Sequence, residues 1–503
     1  MKRFLLFLLL FVSQLTIAQV SFDEFQLTYG TYDVGFKHVQ MEDPLREYDY
    51  PMEQNDKKVF RPISVSLWYP AEMKKGDQQV KILDYLRVFT TEKEWKHLPD
   101  EELLSWYQYR NTPKNKESIQ GRSKAFQKAE IAKGKFPLII YAPSYEASSV
   151  ENFAWAEFLA SHGYVVVACP SLGPKNQWIG KDLMGGLKSQ TRDLEFLLNK
   201  FSKLPQVDSD KIATAGFSFG GLSNVLFQMR NQQIKAILSL DGTIRYNYKL
   251  LKETADFAID KVDVPFLHMA QKAIPEEIMK KDKMDPKLNT DFDFYDDLKF
   301  SDAYKLRFHD LTHLNFSSLD VMLKNRDPKQ DKSDEKILAS YRLVLEYSLQ
   351  FFNSYLKENA TALKYLQKEE NSGLISKESK KAQEKKFTFR DFHALAKQQQ
   401  YQNLISLYNN TKKKYPSFQI PEGAINQVGL QLIFNPATAS HGVAMYELAL
   451  HIYPKSANLY DSLATGYFYM GNKKLATENF KKSLELYPQN QHAKDKLKKL
   501  GNN

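Results

Sequence analysis

The run Lys211-Ile-Ala-Thr-Ala-Gly216-Phe-Ser218-Phe-Gly220-Gly221 sets one serine between two glycines, after a short apolar stretch and before the helical spacing of Leu222 to Met229. A strand, a tight turn and a helix in that order lift a hydroxyl proud of a sheet at the positive end of the helix. Side chains at Gly216 or Gly220 would collide with the neighbouring strand or helix. A serine alcohol is a poor nucleophile at neutral pH. It needs a base within hydrogen-bond reach and an acid that orients the base. The expected chain order is serine, acid, histidine. Of ten histidines, His309 and His313 follow the last candidate strand. His313, in His313-Leu-Asn-Phe316, is the expected base and His309 its competitor. His268 falls inside a strand pattern and reads as packed, while His393, His441, His451 and His492 belong to the tail. Leu238-Ser-Leu-Asp241-Gly242 puts Asp241 at a strand's C-terminal end. Glu276 and Glu277 follow the next strand. Asp241 is favoured because an acid at a strand terminus is better held than one further into a loop.

These groups need a scaffold. Arg61 to Pro70 alternates as a strand, and Phe136 to Ala142 is a continuous apolar run, as in a buried parallel strand. Tyr164 to Cys169, the stretch before Ser218, Ile234 to Leu240, Val264 to Met269 and Lys305 to Phe308 continue the series. Helical patterns at Val150 to His162 and Leu187 to Phe201 lie between them. Alternation of this kind predicts an α/β fold with a doubly wound, mostly parallel sheet. Two segments break the rhythm. Ala71 to Lys135 carries Tyr85, Phe89, Trp95, Trp106, Tyr107 and Tyr109, and Gln271 to Tyr304 is rich in charge and aromatics. Both are expected at the active-site edge, as a lid, a substrate wall or ordinary packing. The acidic run Asp291, Asp293, Asp296, Asp297 lacks the glycine turn and closing glutamate of a calcium loop, so no metal is expected. Ser333 to Glu358 reads as a closing helix, and the lysine-rich Leu366 to Lys386 as a linker or a solvated helix.

Gly-Phe-Ser218-Phe-Gly-Gly, Asp241 twenty-three residues later and the His313-Leu-Asn-Phe316 element together resemble the platelet-activating-factor acetylhydrolase and dienelactone-hydrolase-like branch of the α/β-hydrolases. The resemblance runs from about Gly30 to Phe352. It includes Tyr32-Asp-Val-Gly-Phe36, Asp43 with Arg46, Arg61-Pro-Ile, Trp68-Tyr-Pro70 and Phe158-Leu-Ala-Ser-His-Gly-Tyr-Val-Val166. It implies an acid after the sixth strand, which favours Asp241 over Glu276. It also implies an oxyanion hole. By position, the backbone N–H groups of Tyr145 and Phe219 would form it. Here the sequence departs from the family, with Pro143-Ser144-Tyr145 where His-Gly is common. Dienelactone hydrolases proper use a cysteine nucleophile, so the serine makes lactone opening the weaker expectation.

Residues 1–18 have a charged start, a short apolar core and small residues before Ala18-Gln19, the pattern of a cleavable signal peptide. That predicts a secreted or periplasmic protein with no transmembrane segment after cleavage; the apolar run is short for a membrane anchor. Cys169, the single cysteine, reads as a core residue with no intrachain disulfide. The net charge of +10 resides in residues 361–503, with 21 Lys+Arg against 11 Asp+Glu, while residues 1–360 balance. A basic tail suits solvated helix faces, an acidic partner or an anionic membrane surface. No zinc-finger or RNA-binding spacing is present, so no nucleic acid is expected. Pro454 and Pro488 lie 34 residues apart, and Tyr460, Leu463, Ala464, Tyr467, Ala476 and Phe480 fall on tetratricopeptide spacing. Tyr446, Ala449 and Pro454 repeat its second half one unit earlier, and Tyr408 and Pro416 echo it more weakly.

The expected organisation is therefore a leader at 1–18, a catalytic domain at 19–360 with an insertion at about 71–135, a linker at 361–388 and helical-hairpin repeats at 389–503. The expected activity is a cofactor-free serine hydrolase cleaving carboxylic esters, acetyl or lipid-like, through an acyl-enzyme. The alternatives are an amidase or peptidase on the same groups, or an interaction protein whose repeats bind a peptide or protein partner on a vestigial scaffold.

Overall fold

The computed structural model describes residues 26–501 apart from 49–58, 94, 96, 176–177, 324–326, 328 and 371. The leader at 1–18 lies outside the described residues. The chain divides into two compact units, Met1–Gln383 and Glu384–Asn503.

The first unit is built on one mixed sheet. Its strands are β1 (Asp33–Glu47), β2 (Phe60–Glu72), β3 (Gln79–Lys81), β4 (Arg122–Gln127), β5 (Glu130–Ile131) and β6 (Phe136–Ala142). β7 (Val165–Ala168), β8 (Val207–Phe217), β9 (Ile234–Leu240), β10 (Phe266–Ala270), β11 (Ala303–Phe308) and β12 (Ile375–Lys380) follow. Their order is β12-β11-β10-β9-β8-β6-β7-β2-β1-β4-β3, with β5 on β2. The six strands from β11 across to β7 are all parallel. β2 joins β7 antiparallel, and β1 joins β2 antiparallel.

The alternation of side chains along each parallel strand sorts the core into two faces. Ile139 and Tyr141 of β6 pack with the helices Phe153–Ser161 and Asp334–Tyr355. Leu138 and Ile140 pack with the helix Leu183–Phe201. The helix Phe219–Arg230 covers the same side next to β9. Every residue of β6 is buried, which is why the sequence shows it as an unbroken apolar run. On the second of these faces, Arg61 on β2 grips Asp193 of the helix Leu183–Phe201 through two hydrogen bonds of 2.7 and 2.6 Å and donates to the Gly173 carbonyl at 2.6 Å. Arg46 reaches the same carboxylate at 2.6 Å.

The expected boundary at residue 360 and the linker at 361–388 need correction. The helix Ala360–Gln367 seats Ala362 and Leu366 in buried positions, and β12 pairs antiparallel with β11 over six residues, Ala303↔Lys380 to Phe308↔Ile375. β11 is therefore not the last strand. Only Ile375 of β12 is buried. An edge strand exposed on both faces carries no period-2 apolar signal, so Ile375-Ser-Lys-Glu-Ser-Lys380 reads as a polar linker.

Among its described residues the second unit is all helical, in seven helices from Phe389–Gln398 to Gln491–Gly501. Its core gathers Phe392, Phe418, Met445, Tyr446, Leu448 and Leu459, with Ala464, Ala476, Phe480 and Ala493 in a smaller cluster at the C-terminal end. Consecutive helices pack together, most closely Glu422–Ile433 on Ala439–Ile452 and Ala457–Tyr469 on Lys473–Leu486. Among the described residues no helix is long and apolar enough to cross a membrane.

Candidate active site

Ser218 sits at the turn between β8 and the helix Phe219–Arg230, with φ +51° and ψ −118°. For a residue with a Cβ this backbone is strained, and the surroundings enforce it. A Cβ built on Gly216 would meet the Gly220 carbonyl oxygen at 2.3 Å, and one on Gly220 would meet the Ala142 carbonyl oxygen at 2.0 Å. The Ser218 N–H donates to the Leu240 carbonyl at 3.1 Å, and its own carbonyl accepts from Gly221 and Thr243 N–H groups at 2.9 and 2.8 Å. The turn is thus pinned to the end of β9 on both sides.

Asp241 is the first residue after β9, is fully buried, and also has positive φ, +39°. Its N–H donates to the Met269 carbonyl at 2.7 Å. His313 opens the short helical turn His313–Phe316 after β11, with Thr312 and Asn315 closing a reciprocal cap in front of it. The three side chains form one hydrogen-bonded chain. Ser218 Oγ lies 2.8 Å from His313 Nε2, and His313 Nδ1 lies 2.6 Å from Asp241 Oδ2. Burial alone would push the Asp241 carboxyl up. The hydrogen bond and charge of His313, with the Gln271 N–H, hold it below its ordinary value. Asp241 is therefore the ionised partner, and Nδ1 is the nitrogen that carries the proton toward it. Nε2 is left to accept from the serine.

The remaining expected residues separate clearly. His309, directly after β11, is exposed, and its N–H donates to the Leu374 carbonyl at 2.9 Å. Glu276 and Glu277 are exposed on the helix Glu276–Lys281, and Glu276 pairs with Lys280 at 2.7 Å. His268 is fully buried on β10. Tyr145 and Phe219 do come together, with their rings edge to face at 5.9 Å. Among the described residues no protein acceptor takes the backbone N–H of either. Tyr145 is carried on a loop that Glu151 holds: it accepts from the Ser144 N–H at 2.9 Å and from the Ser144 hydroxyl.

Gln271 was not visible as a site residue in the sequence. Its N–H donates to Asp241 Oδ1 at 3.0 Å, and its Oε1 accepts from the His313 N–H at 3.1 Å. One residue thus ties the acid to the base. The only sequence signal is its place directly after a buried strand.

Two clefts flank the site. One of about 430 Å³ lies beside His313 and is mostly apolar, with Tyr246, Ile274, Pro275, Ile278, Met284 and Leu314 in its wall. The other, about 450 Å³, lies on the Tyr145 side and is lined by Phe89, Trp106, Tyr107, Trp178 and Leu319. The segments Gln271 to Tyr304 and Ala71 to Lys135 thus each contribute to a wall. Their aromatics divide, however. Tyr85 and Tyr109 are core residues, while Trp95 and Trp106 are partly exposed and packed on each other at 4.1 Å.

Comparison with known proteins gives three findings. The profile of the dienelactone hydrolase family matches residues 129–285, under a third of the chain. That stretch contains Tyr145, Ser218, Phe219 and Asp241, and ends before His313. Dipeptidyl-peptidase 5 of Porphyromonas gingivalis is 33% identical over 99 residues, which span 18% of this chain and 14% of that protein. A solved ferulic acid esterase from Streptomyces cinnamoneus superposes with a TM-score of 0.49 at 18% identity, over 70% of this chain and 97% of its own. The family match and the strand order identify an α/β-hydrolase fold with a mixed sheet and a C-terminal all-helical region, and they support hydrolase chemistry at a serine.

Proposed function

We propose that this protein is an exported serine hydrolase that cleaves carboxylic esters at Ser218. The observation that carries the reading is the unbroken chain from Ser218 Oγ through His313 to buried Asp241, at 2.8 and 2.6 Å. In the first half-reaction Ser218 Oγ attacks the ester carbonyl and His313 Nε2 takes its proton. The imidazolium so formed is stabilised by Asp241. Negative charge gathers on the former carbonyl oxygen, and the backbone N–H groups of Phe219 and Tyr145 are proposed to receive it; the contact between these two residues and the lack of a backbone acceptor for either N–H among the described residues support this. Loss of one such donor typically costs about 10²–10³ in rate. The carbon–oxygen bond to the leaving alcohol breaks as His313 returns the proton to it. A water, deprotonated by His313 in turn, then attacks the acyl-Ser218 ester, and His313 returns that proton to Ser218 Oγ as the acid is released. The mostly apolar cleft beside His313 suits an acyl or alcohol group with substantial apolar surface, and the cleft on the Tyr145 side offers aromatic and polar groups together.

A second reading is favoured by one specific observation, the local identity with a dipeptidyl-peptidase. The same groups can cleave an amide, with His313 protonating the leaving amine. In either reading the helical unit is proposed to hold tetratricopeptide-like repeats that bind a peptide or protein partner. The leader at 1–18 is proposed to direct export.

The test is labelling and turnover with the full chain. A fluorophosphonate probe should modify wild-type protein at Ser218 and leave Ser218→Ala unlabelled. Matched short p-nitrophenyl esters and p-nitroanilides should show which bond is preferred. Wild-type turnover by Ser218→Ala would overturn both hydrolytic readings. An unlabelled wild type whose helical unit retains a partner would favour the interaction-protein reading.

A further inference from the structure

A third cavity, of about 240 Å³, lies on one face of the sheet at β10, β11 and β12, and Ser218 is not part of its lining. Alternate residues of neighbouring strands point into it. His268 on β10 pairs in register with Lys305 on β11, and Lys305 with Glu378 on β12. Two residues further along β11, Arg307 pairs in register with Ser376. Arg245, from the turn that follows Asp241, completes the lining used here.

The charges in this cavity do not balance. Lys305 is met by Glu378 at 2.9 Å. Arg245 is only 8% exposed, and among the described residues no carboxylate lies within ion-pair reach of it or of Arg307. Arg307 donates to the Asn289 carbonyl, which is neutral. Among the described residues the Nε of Arg245 and the Nε2 of fully buried His268 find no hydrogen-bond partner. The two guanidinium groups also press on each other. Burial first, and then the charge of Arg245, pull Arg307 below its ordinary value, and the more distant charges of Asp241 and Glu378 offset this only in part. A guanidinium does not give up its proton in a protein, so this charge cannot be relieved by titration. Buried and half-buried charge of one sign needs a counter-charge.

We propose that this cavity is a binding site for the oxyanion group of a small anionic molecule, held by Arg245 and Arg307 with His268 and Ser376 as neutral partners. Guanidinium groups meet phosphate and carboxylate oxygens with paired, charge-assisted hydrogen bonds. His268 is kept neutral, at about 3, by burial. Its Nδ1 lies 3.0 Å from the Ser239 hydroxyl, and when that hydroxyl donates, Nε2 carries the ring proton and faces the ligand as a donor. The volume equals about eight waters, enough for a phosphate group with several further atoms. None of its ligands is Ser218, Asp241 or His313, although the charge of Asp241 reaches His268 and Arg307, and phosphate binding is read here without ester turnover.

The experiment is calorimetric and thermal titration of the full chain with inorganic phosphate, and in a second arm with acetate, at an ionic strength held constant with chloride. Wild type should bind phosphate saturably and gain thermal stability with it. Acetate binding in place of phosphate would support the same site with a carboxylate ligand. Arg307→Gln and Arg245→Gln should each weaken binding by about tenfold or more. In anion-free buffer Arg307→Gln should melt at or above the wild-type temperature, since it removes unmatched charge, and this shows that it folds. Absence of any binding by wild type in both arms would overturn the proposal. So would an Arg307→Gln protein that responds to phosphate as wild type does.

Discussion

Replacing Asp241 by asparagine isolates what the buried acid does, because the shape is kept and only the charge and a lone pair change. Gln271 decides how the new amide sits. Its N–H donates to Oδ1 of Asp241, so the amide oxygen must remain there and the NH₂ group must face His313 Nδ1. Nδ1 then has to accept, and the ring proton moves to Nε2, the nitrogen that must accept from Ser218. The charge term can be sized separately. An imidazolium and a carboxylate centred about 4 Å apart interact by about 4 kcal/mol at an effective dielectric of about 20. At 1.36 kcal/mol per decade that is about a thousandfold in rate. With the wrong tautomer added, kcat on an activated ester should fall by about 10³–10⁴, with KM little changed. The assay is steady-state turnover of a p-nitrophenyl ester, with melting temperature as the check on folding. A folded Asp241→Asn protein within about tenfold of wild type would refute the assignment of Asp241 as the orienting acid.

Three further outcomes are expected. Ser218→Gly should abolish ester turnover while raising stability by about 1 kcal/mol, because glycine relieves a strain of about 1–3 kcal/mol at φ +51° against a smaller cost in the unfolded chain; melting curves would show it. Asp193→Asn should lower the urea unfolding free energy by about 3–5 kcal/mol, since Arg61 is 1% exposed and would lose its counter-charge; a change under about 1 kcal/mol would contradict this. Glu157 is fully buried, accepts from the Tyr85 hydroxyl at 2.6 Å and the Lys124 N–H at 2.9 Å, and is pushed up to about 7 by burial. Between about pH 4.5 and 7 the folded chain therefore holds a proton there that the unfolded chain has released. Stability should fall as pH rises through that window, by about 3 kcal/mol from this group. Glu157→Gln should flatten the profile, measured as melting temperature between pH 5 and 8.

The parts of this molecule that could be read from sequence are those where one physical demand fixes residue type. β6 is covered on both faces, so all seven of its residues are buried and the apolar run is unmistakable. The serine turn is legible because two close backbone approaches exclude any side chain at Gly216 and Gly220. Chain order narrows the base to His313 or His309, and the strand terminus with the family resemblance favours Asp241 over Glu276; the structure joins His313 to Ser218 and Asp241 to His313. β12 was illegible because an edge strand has no face to bury. Gln271 was illegible because its role rests on a backbone N–H and one amide oxygen, which many residues in that place would resemble. Glu157 sits in a helix whose residues are all buried, and a carboxylate gives no sequence sign that it will be enclosed by Tyr85 and a strand N–H. The clefts are assembled from turns far apart in the chain, such as Thr243 and Leu314, and no local pattern announces them.

The strand contributed by Ile375–Lys380 also sets where the chain can be cut. A truncation after residue 360 would strip β11 of its neighbour and leave the row of backbone N–H and C=O groups from Ala303 to Phe308 open. An unprotected edge of that kind recruits other chains. Such a protein would aggregate for reasons unrelated to losing the helical unit, and the loss would be misread as dependence of one unit on the other. Division after Gln383 keeps the edge sealed and makes the two halves separately interpretable.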